Sequence, residues 1–179
     1  MIPIYLIVGA PATGKSTVSR ALAASFPKSI ALCVDDLRSM VVSGLVHPSA
    51  EWSRELTEQL HLARQSVTEM ALRYQAAGYA VMIDDFWDPH TQMNEYRTLF
   101  ANAALKRVLL YPDQQKAHAQ NRQRSGPGAV QAYLDEGIRL VYAHLNTVVD
   151  ELAQQGWHVL DTTPDTVEAT VARLQTLAV

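Results

Sequence analysis

The sequence predicts an α/β fold in which a five-stranded parallel sheet is covered by helices on both faces. Two observations lead to this prediction. Short apolar runs of strand length alternate along the chain with longer segments whose apolar residues have helical spacing. The first apolar run also leads directly into a glycine-containing segment, residues 9–17, that is followed by a helix-compatible run. Strand, loop and helix in this order are the context in which a phosphate-binding loop is found.

Proline and glycine residues mark the ends of predicted helices in the first half of the chain. Pro27 ends the first helix and Gly78 ends the long third helix. The long helix carries an apolar stripe assigned to the core: Leu56, Leu60, Ala63, Val67, Met70 and Tyr74. The predicted elements are strand Pro3–Val8, helix Gly14–Phe26, strand Ile30–Val34, short helix Leu37–Val42, helix Ala50–Ala77 and strand Tyr79–Ile83.

The second half is delimited in the same way. Asp88 has the side chain of an N-cap and Pro89 suits a first helical position, Pro112 opens the next helix, and Gly156 ends the one after it. The segment from Arg124 to Gly128 is rich in helix breakers, so we expect a mobile loop there. The predicted elements are helix Pro89–Ala103, strand Lys106–Tyr111, helix Pro112–Arg122, helix Val130–Gln154, strand Trp157–Leu160 and helix Thr166–Leu177.

Length and composition limit the classes of protein to consider. A chain of 179 residues, 48% hydrophobic and 18% charged, is expected to form one compact domain over residues 1–179. The net charge of −3 argues against a broad basic surface for long nucleic acid, although a few arginines can hold a short strand end. No stretch is long and apolar enough to cross a membrane, and the apolar start lacks the basic segment of a signal peptide. We therefore expect a cytoplasmic protein with no membrane partner.

The segment after the first strand matches the pattern G-x-x-x-x-G-K-[ST]. Glycines let backbone N–H groups turn toward phosphate oxygens, the lysine reaches the β- and γ-phosphates, and the serine hydroxyl is a Mg²⁺ ligand. The sequence therefore predicts ATP and Mg²⁺ as ligands. The residues predicted to hold the nucleotide are Gly9, Ala10, Pro11, Ala12, Thr13, Gly14, Lys15, Ser16 and Thr17, together with Arg122 from a later segment.

Carboxylates follow the second and third strands, at the sheet edge where open α/β folds bind ligands. Asp35 is predicted to orient an acceptor hydroxyl and take its proton, and Arg38 to hold an acidic or phosphate-bearing acceptor. Asp84 is predicted to hold Mg²⁺ together with Ser16, while Asp85 is predicted to face the acceptor. The residue types leave open which of the two neighbouring aspartates serves the metal.

Two arginines accompany the Gly/Pro-rich segment. An arginine that a closing lid brings over the γ-phosphate stabilises the charge of the transition state, and both Arg122 and Arg124 are candidates for that position. Asp161–Pro164, after the last strand, is either a wall of the adenine pocket or a plain turn. Aromatic and imidazole groups predicted near the mouth, which either stack on a ligand or simply pack, are His47, Trp52, Phe86, Trp87 and His90.

With these residues placed, the chain resembles the P-loop kinase group that contains gluconate kinases, antibiotic phosphotransferases, zeta-type toxins and the 5′-kinase domain of polynucleotide kinases. GAPATGKST resembles the nucleotide loop, VDDLR the acceptor motif of polynucleotide kinases, IDD the end of a Walker B strand and NRQRSG the lid. The resemblance implies a P-loop NTPase three-layer sandwich with sheet order 2-3-1-4-5 and an arginine-bearing lid. It also implies Asp35 as the base and Arg38 as a ligand of the acceptor-side phosphate. The lid arginines of this group normally lie four residues apart, whereas Arg122 and Arg124 lie two apart.

The predicted function is an ATP- and Mg²⁺-dependent phosphotransferase acting on a hydroxyl of a small-molecule acceptor of the sugar acid, nucleoside or antibiotic type. A polynucleotide 5′-hydroxyl kinase is the first alternative; VDDLR favours it, whereas the lack of a basic tract disfavours it. A P-loop ATPase or switch without an acceptor is the second. Such proteins need a water-positioning residue and switch loops, and the sequence has no clear motif for either.

Overall fold

A computed structural model describes residues 1–47 and 52–177 of the chain. The strands of this part are β1 Ile4–Val8, β2 Ser29–Cys33, β3 Ala80–Asp84, β4 Leu105–Leu110 and β5 His158–Leu160. Its α-helices are α1 Lys15–Ala24, α2 Val34–Arg38, α3 Arg54–Ala76, α4 Arg97–Phe100, α5 Gln114–Ser125, α6 Ala129–Gln154 and α7 Val167–Gln175. Over the described residues, no helix combines the length and apolarity needed to cross a lipid bilayer.

The five strands form one parallel sheet in the order β2-β3-β1-β4-β5, which confirms the predicted fold and strand order. β1 lies at the centre, with Ile4 aligned to Val81 of β3 on one side and to Leu105 of β4 on the other. The chain segments that follow β1, β2 and β3 therefore meet at the same edge of the sheet. These are the segments that carry the predicted phosphate loop and the predicted carboxylates.

The side chains of β1 divide the core into its two halves. Every residue of β1 is buried, as expected for the central strand of a sheet covered on both faces. Ile4, Leu6 and Val8 pack on the face covered by α3 and α6, whereas Tyr5 and Ile7 pack against α1 and α7. Successive strand residues point to opposite faces, so a single apolar run supplies both layers. The three-layer arrangement follows from this.

Helix α3 contributes the predicted apolar stripe to the core. Leu56 and Val67 are buried, while Tyr74, at the predicted end of the stripe, is 37% exposed. The Ser53 hydroxyl caps the helix by accepting a hydrogen bond from the Leu56 N–H. The predicted start of this helix at Ala50 lies outside the described residues.

A buried arginine on α3, which the stripe did not predict, organises the segment after β3. The side chain of Arg64 is fully buried and donates hydrogen bonds to Asp85 Oδ2 at 2.7 Å, Asp88 Oδ2 at 2.8 Å and Glu95 Oε1 at 2.8 Å. Burial alone would lower the pKa of Arg64, but the surrounding acidic groups, Asp85 foremost, raise it above its ordinary value. The guanidinium therefore stays charged and ties three carboxylates to one point of α3.

This cluster explains why the predicted helix Pro89–Ala103 is wrong. The structure has turns after Pro89, a 3₁₀ turn over Asn94–Tyr96 and only the short helix α4. Gln92 and Met93 have φ values of +49° and +62°, which no right-handed helix accommodates. Arg64 holds Asp88 and Glu95 toward the core, and this tertiary constraint overrides the local helical pattern.

Other boundaries also differ from the predictions. Helix α2 begins at Val34, immediately after β2, and ends at Arg38, so the predicted short helix Leu37–Val42 is displaced. Helix α5 starts after the Asp113 N-cap and continues to Ser125, beyond the predicted end at Arg122. The connection to α6 therefore shrinks to residues 126–128. Both candidate lid arginines are helical residues.

The Arg64 cluster generates a stability prediction. Replacing Arg64 by Met should lower the free energy of unfolding by about 3–5 kcal/mol, because three carboxylates would be left buried without their cation. The measurement is urea unfolding followed by circular dichroism. Arg54→Met is the matched control, since Arg54 lies on the same helix with a 90% exposed side chain that pairs with the exposed Glu58. Equal unfolding midpoints for the two variants would contradict this account.

Candidate active site

The loop between β1 and α1 is built around a close backbone approach at Gly9. A Cβ atom at this position would lie 2.6 Å from the Leu110 carbonyl oxygen and 2.9 Å from Thr13 Oγ1, so only glycine fits without a shift of the backbone. Thr13 Oγ1 donates to the Ala10 carbonyl at 2.9 Å, which closes the loop on itself. Gly14, with φ +86°, provides the turn into α1. The unpaired N–H groups at the start of α1 thus border the loop, as in a phosphate-binding site.

Lys15, the first residue of α1, places its ammonium group between the loop and the strand-end carboxylates. Its Nζ atom donates to the Ala10 carbonyl at 2.8 Å. Burial lowers the pKa of the Lys15 ammonium, while the charges of Asp84, Asp35 and Asp85 act to raise it. The structure therefore brings together the lysine after β1 and the carboxylates after β2 and β3. Their proximity was expected from a parallel sheet.

The two aspartates at the end of β3 have different surroundings. Asp84 is 4% exposed, and within the described residues no group donates a hydrogen bond to its carboxylate. Asp85 instead accepts hydrogen bonds from Arg64 Nε, from the Tyr96 hydroxyl at 3.0 Å and from the Phe86 N–H at 2.8 Å. Burial raises the pKa of Asp85, and Arg64 opposes that shift. The hydrogen-bonding capacity of Asp85 is thus used inside the protein, whereas that of Asp84 is available at the loop.

The oxygens at the loop suit Mg²⁺. Ser16 lies in the first turn of α1, and Asp84 supplies a buried carboxylate that receives no hydrogen bond from the described part of the chain. Within residues 1–47 and 52–177, no group of three or more His, Cys, Asp or Glu side chains forms a metal-binding cluster. A set of one hydroxyl and one carboxylate fits Mg²⁺, which completes its coordination with phosphate and water oxygens.

Asp35 and Arg38 lie on the short helix α2, beside the loop. The side chain of Asp35 is 69% exposed, whereas that of Arg38 is 7% exposed and lies 3.6 Å from the Asp35 carboxylate. One terminal nitrogen of Arg38 donates to the Val46 carbonyl at 2.7 Å, and its Nε atom is buried without a hydrogen-bond partner among the described residues. The accessible carboxylate of Asp35 therefore lies beside the buried guanidinium of Arg38, whose hydrogen-bonding capacity is not fully used within the described residues.

Sequence reasoning missed the contribution of α6 to this site. A Cβ atom at Gly137 would lie 3.4 Å from Pro11 Cγ, so α6 passes close to the loop there. Tyr133, one turn earlier on the same face, lies close enough to α2 to feel its charges. Burial and the Asp35 carboxylate raise the pKa of the Tyr133 phenol, and the Arg38 guanidinium lowers it. The signal in the sequence was an i, i+4 pair of Tyr and Gly, which is too common to be read without the fold.

A pocket lies between α5 and the segment that joins β5 to α7. The Nζ atom of Lys116 donates to the carbonyls of Thr162 at 2.7 Å, Thr163 at 2.9 Å and Asp165 at 3.3 Å, and so fixes the far wall. Of the predicted segment Asp161–Pro164, Thr162 lines this pocket, while the Asp161 carboxylate accepts hydrogen bonds from Thr163. The pocket extends to the phosphate loop, and its lining includes Thr13, Gly14, Val18, Leu110, Gln120 and Val167.

The two candidate lid arginines occupy the last turn of α5. Both are exposed, and neither side chain forms an ion pair or hydrogen bond with another described residue. Side chains on an α-helix are rotated by about 100° per residue. Arg124 is four residues beyond Gln120 and so shares its face, whereas Arg122 is rotated by about 200° from Gln120. The face that lines the pocket therefore continues into Arg124.

The aromatic residues expected near the mouth separate into two environments. Trp87 is fully buried, and its Nε1 atom donates to His144 Nδ1 at 3.2 Å, so it is a core residue. Trp52 lies against His90 with ring centroids 4.5 Å apart and meets the edge of Phe86 at 6.4 Å. These last three form a partly exposed cluster beside the end of β3.

Solved structures share this fold over nearly their whole length. A shikimate kinase from Bacteroides thetaiotaomicron has a TM-score of 0.65 and 16% identity, and the alignment covers 97% of this chain and 96% of that one. A tunicamycin resistance protein from Deinococcus radiodurans has a TM-score of 0.65 and 14% identity over 99% and 98% of the two chains. A gluconokinase from Sinorhizobium meliloti has a TM-score of 0.60 and 14% identity over 97% and 93%. No curated protein matches the sequence significantly.

These neighbours confirm the resemblance to the P-loop kinase group, and at such identities their likeness concerns the fold. A family model described as an AAA domain matches residues 4–138, about three quarters of the chain. The match takes in the phosphate loop, α2, the end of β3 and both candidate lid arginines. The chain therefore belongs to the AAA domain family.

Proposed function

We propose that the protein is a phosphotransferase that moves the γ-phosphoryl group of ATP to a hydroxyl of a small-molecule acceptor. The observation that supports this most strongly is the placement of an accessible carboxylate, Asp35, near the lysine of a phosphate loop. A carboxylate on this side of the loop can orient an acceptor hydroxyl and take its proton during phosphoryl transfer. Mg·ATP, when bound, supplies the phosphoryl group.

Each residue has a defined task in this proposal. The N–H groups of the loop and Lys15 hold phosphate oxygens, and Lys15 exchanges its hydrogen bond to Ala10 for one to phosphate. Ser16 and Asp84 hold Mg²⁺. The acceptor oxygen forms a bond to phosphorus as the bond from phosphorus to the β-phosphate oxygen breaks, and Asp35 takes the hydroxyl proton. Asp85 acts indirectly, by fixing the end of β3 through Arg64.

The acceptor side contains a buried cation, Arg38. Arg38 is held by Val46 and Asp35, and its Nε atom, which has no partner within residues 1–47 and 52–177, suits an anionic group on the acceptor. Tyr133 of α6 lies near enough for the charges of Asp35 and Arg38 to act on its pKa. The net charge of −3 also favours a small acceptor over a long polyanion. The neighbours named as shikimate kinase and gluconokinase carry the names of small acceptors, which supports the same class.

The direct test is a phosphorylation assay with Mg·ATP and a panel of sugar acids, nucleosides, antibiotics and 5′-hydroxyl oligonucleotides. With the acceptor that responds, Asp35→Asn should lower kcat by about 10²–10⁴-fold while ATP binding persists, because the proton loses its acceptor. Asp36→Asn is the matched control, since the exposed Asp36 pairs with Arg20 instead. Its rate should stay within about threefold of the wild-type value.

Other results of that assay would redirect the proposal. Transfer to oligonucleotides alone would identify a polynucleotide 5′-hydroxyl kinase. ATP turnover that ignores every acceptor would indicate an ATPase, and an unchanged rate in Asp35→Asn would remove Asp35 as the base.

The helical position of the lid arginines generates a further prediction. Arg124→Ala should reduce kcat by on the order of 10³-fold, because an arginine at the γ-phosphate stabilises transition-state charge. Arg122→Ala, which removes the same charge from the opposite face of α5, should have little effect. Steady-state kinetics of the two variants at saturating ATP decide between them. A larger loss for Arg122→Ala would mean that the end of α5 unwinds when the lid closes.

A further inference from the structure

One buried acceptor group in the pocket between α5 and the β5–α7 segment has no partner. The Oε1 atom of Gln120 is shielded from solvent and accepts no hydrogen bond within the described part of the chain. Leaving such an oxygen unsatisfied costs about 1–3 kcal/mol, so it calls for an explanation. Its helical neighbour Lys116 is fully engaged with three carbonyl groups on the opposite wall.

The groups that line the pocket have the chemistry that a heterocyclic base requires. Thr13 and Gly14 of the phosphate loop line one end. The side chains of Val18, Leu110 and Val167 provide apolar surface, and Gln120 provides the unpaired amide. A nucleotide whose phosphates occupy the loop therefore extends its remaining part toward this amide.

A glutamine carboxamide presents one acceptor and one donor side by side. Adenine offers the complementary pair at its 6-amino group and N7, whereas hypoxanthine and guanine offer two acceptors at O6 and N7. Whichever way the amide is turned, its oxygen then faces either O6 or N7 of a 6-oxopurine, and two acceptors repel each other. Adenine satisfies both groups, including the buried Oε1 atom.

We propose that Gln120 is the residue that selects adenine over 6-oxopurines, by accepting a hydrogen bond from the 6-amino group and donating one to N7. This inference rests on the proposed nucleotide-dependent function and extends it to base specificity. It gives a task to a residue that the sequence did not mark, on the face of α5 that continues into Arg124.

The test measures binding and needs no acceptor. Competition of Mg·ATP and Mg·ITP against an ATP analogue labelled on the ribose gives the affinity ratio, since ITP replaces the 6-amino group by oxygen. The wild-type protein should bind ATP about 10- to 100-fold more tightly than ITP. Gln120→Ala should bring this ratio to within about threefold of one, mostly through weaker ATP binding. Gln120→Glu should weaken the binding of both nucleotides but keep the preference for ATP, because a carboxylate still accepts from the 6-amino group and meets only acceptors on a 6-oxopurine.

Gln115→Ala is the matched control, because Gln115 is an exposed glutamine near the start of the same helix; it should keep the wild-type ratio. Equal affinities for ATP and ITP in the wild-type protein, or an unchanged ratio in Gln120→Ala, would overturn the role of Gln120 while leaving the phosphotransferase proposal intact. Failure to bind either nucleotide would overturn both.

Discussion

The buried ion cluster around Arg64 is the interaction on which the geometry of the site depends. A guanidinium removed from water is stable only when carboxylates surround it, and Asp85, Asp88 and Glu95 fulfil that requirement. The same contacts hold the chain that leaves β3 in a fixed path. One consequence is that two adjacent aspartates are separated in function: Asp85 is bound into the protein, and Asp84 is left at the loop.

The charged side chains near the phosphate loop are arranged to bind a ligand that is itself charged. The Lys15 ammonium is surrounded by Asp84, Asp35 and Asp85, and its only hydrogen bond within the described residues goes to the Ala10 carbonyl. Asp84 lacks hydrogen-bond donors altogether in that part of the chain. A buried polar group whose hydrogen-bonding capacity is unused destabilises the folded protein unless a ligand satisfies it. A phosphate group bound to Lys15 and a hard cation bound to Asp84 would satisfy both side chains at once.

The sheet and the loop were predictable because their signals are local. Strand–loop–helix order and the spacing of Gly9, Gly14 and Lys15 fix the centre of the fold, and parallel strands then bring their ends together. The region after β3 was not predictable in this way. Its conformation depends on Arg64, which lies within an otherwise ordinary helical pattern, and no local rule marks an arginine as buried. The position of Tyr133 near Asp35 was not predicted for the same reason, since it depends on how α6 packs in the fold.

Helices α5 and α6 connect the separate parts of the site. Asn121 on α5 donates to the Gln131 carbonyl and to Asp135 on α6, and His118 contacts the same carboxylate at 2.7 Å. The hydrogen bonds from His118 and Asn121 lower the pKa of Asp135, so the carboxylate remains a charged acceptor. The pair carries Gln120 and Arg124 on one helix and Tyr133 on the other. In the proposed mechanism, a displacement of this unit would move Gln120, Arg124 and Tyr133 together and would therefore link nucleotide binding to closure over the acceptor.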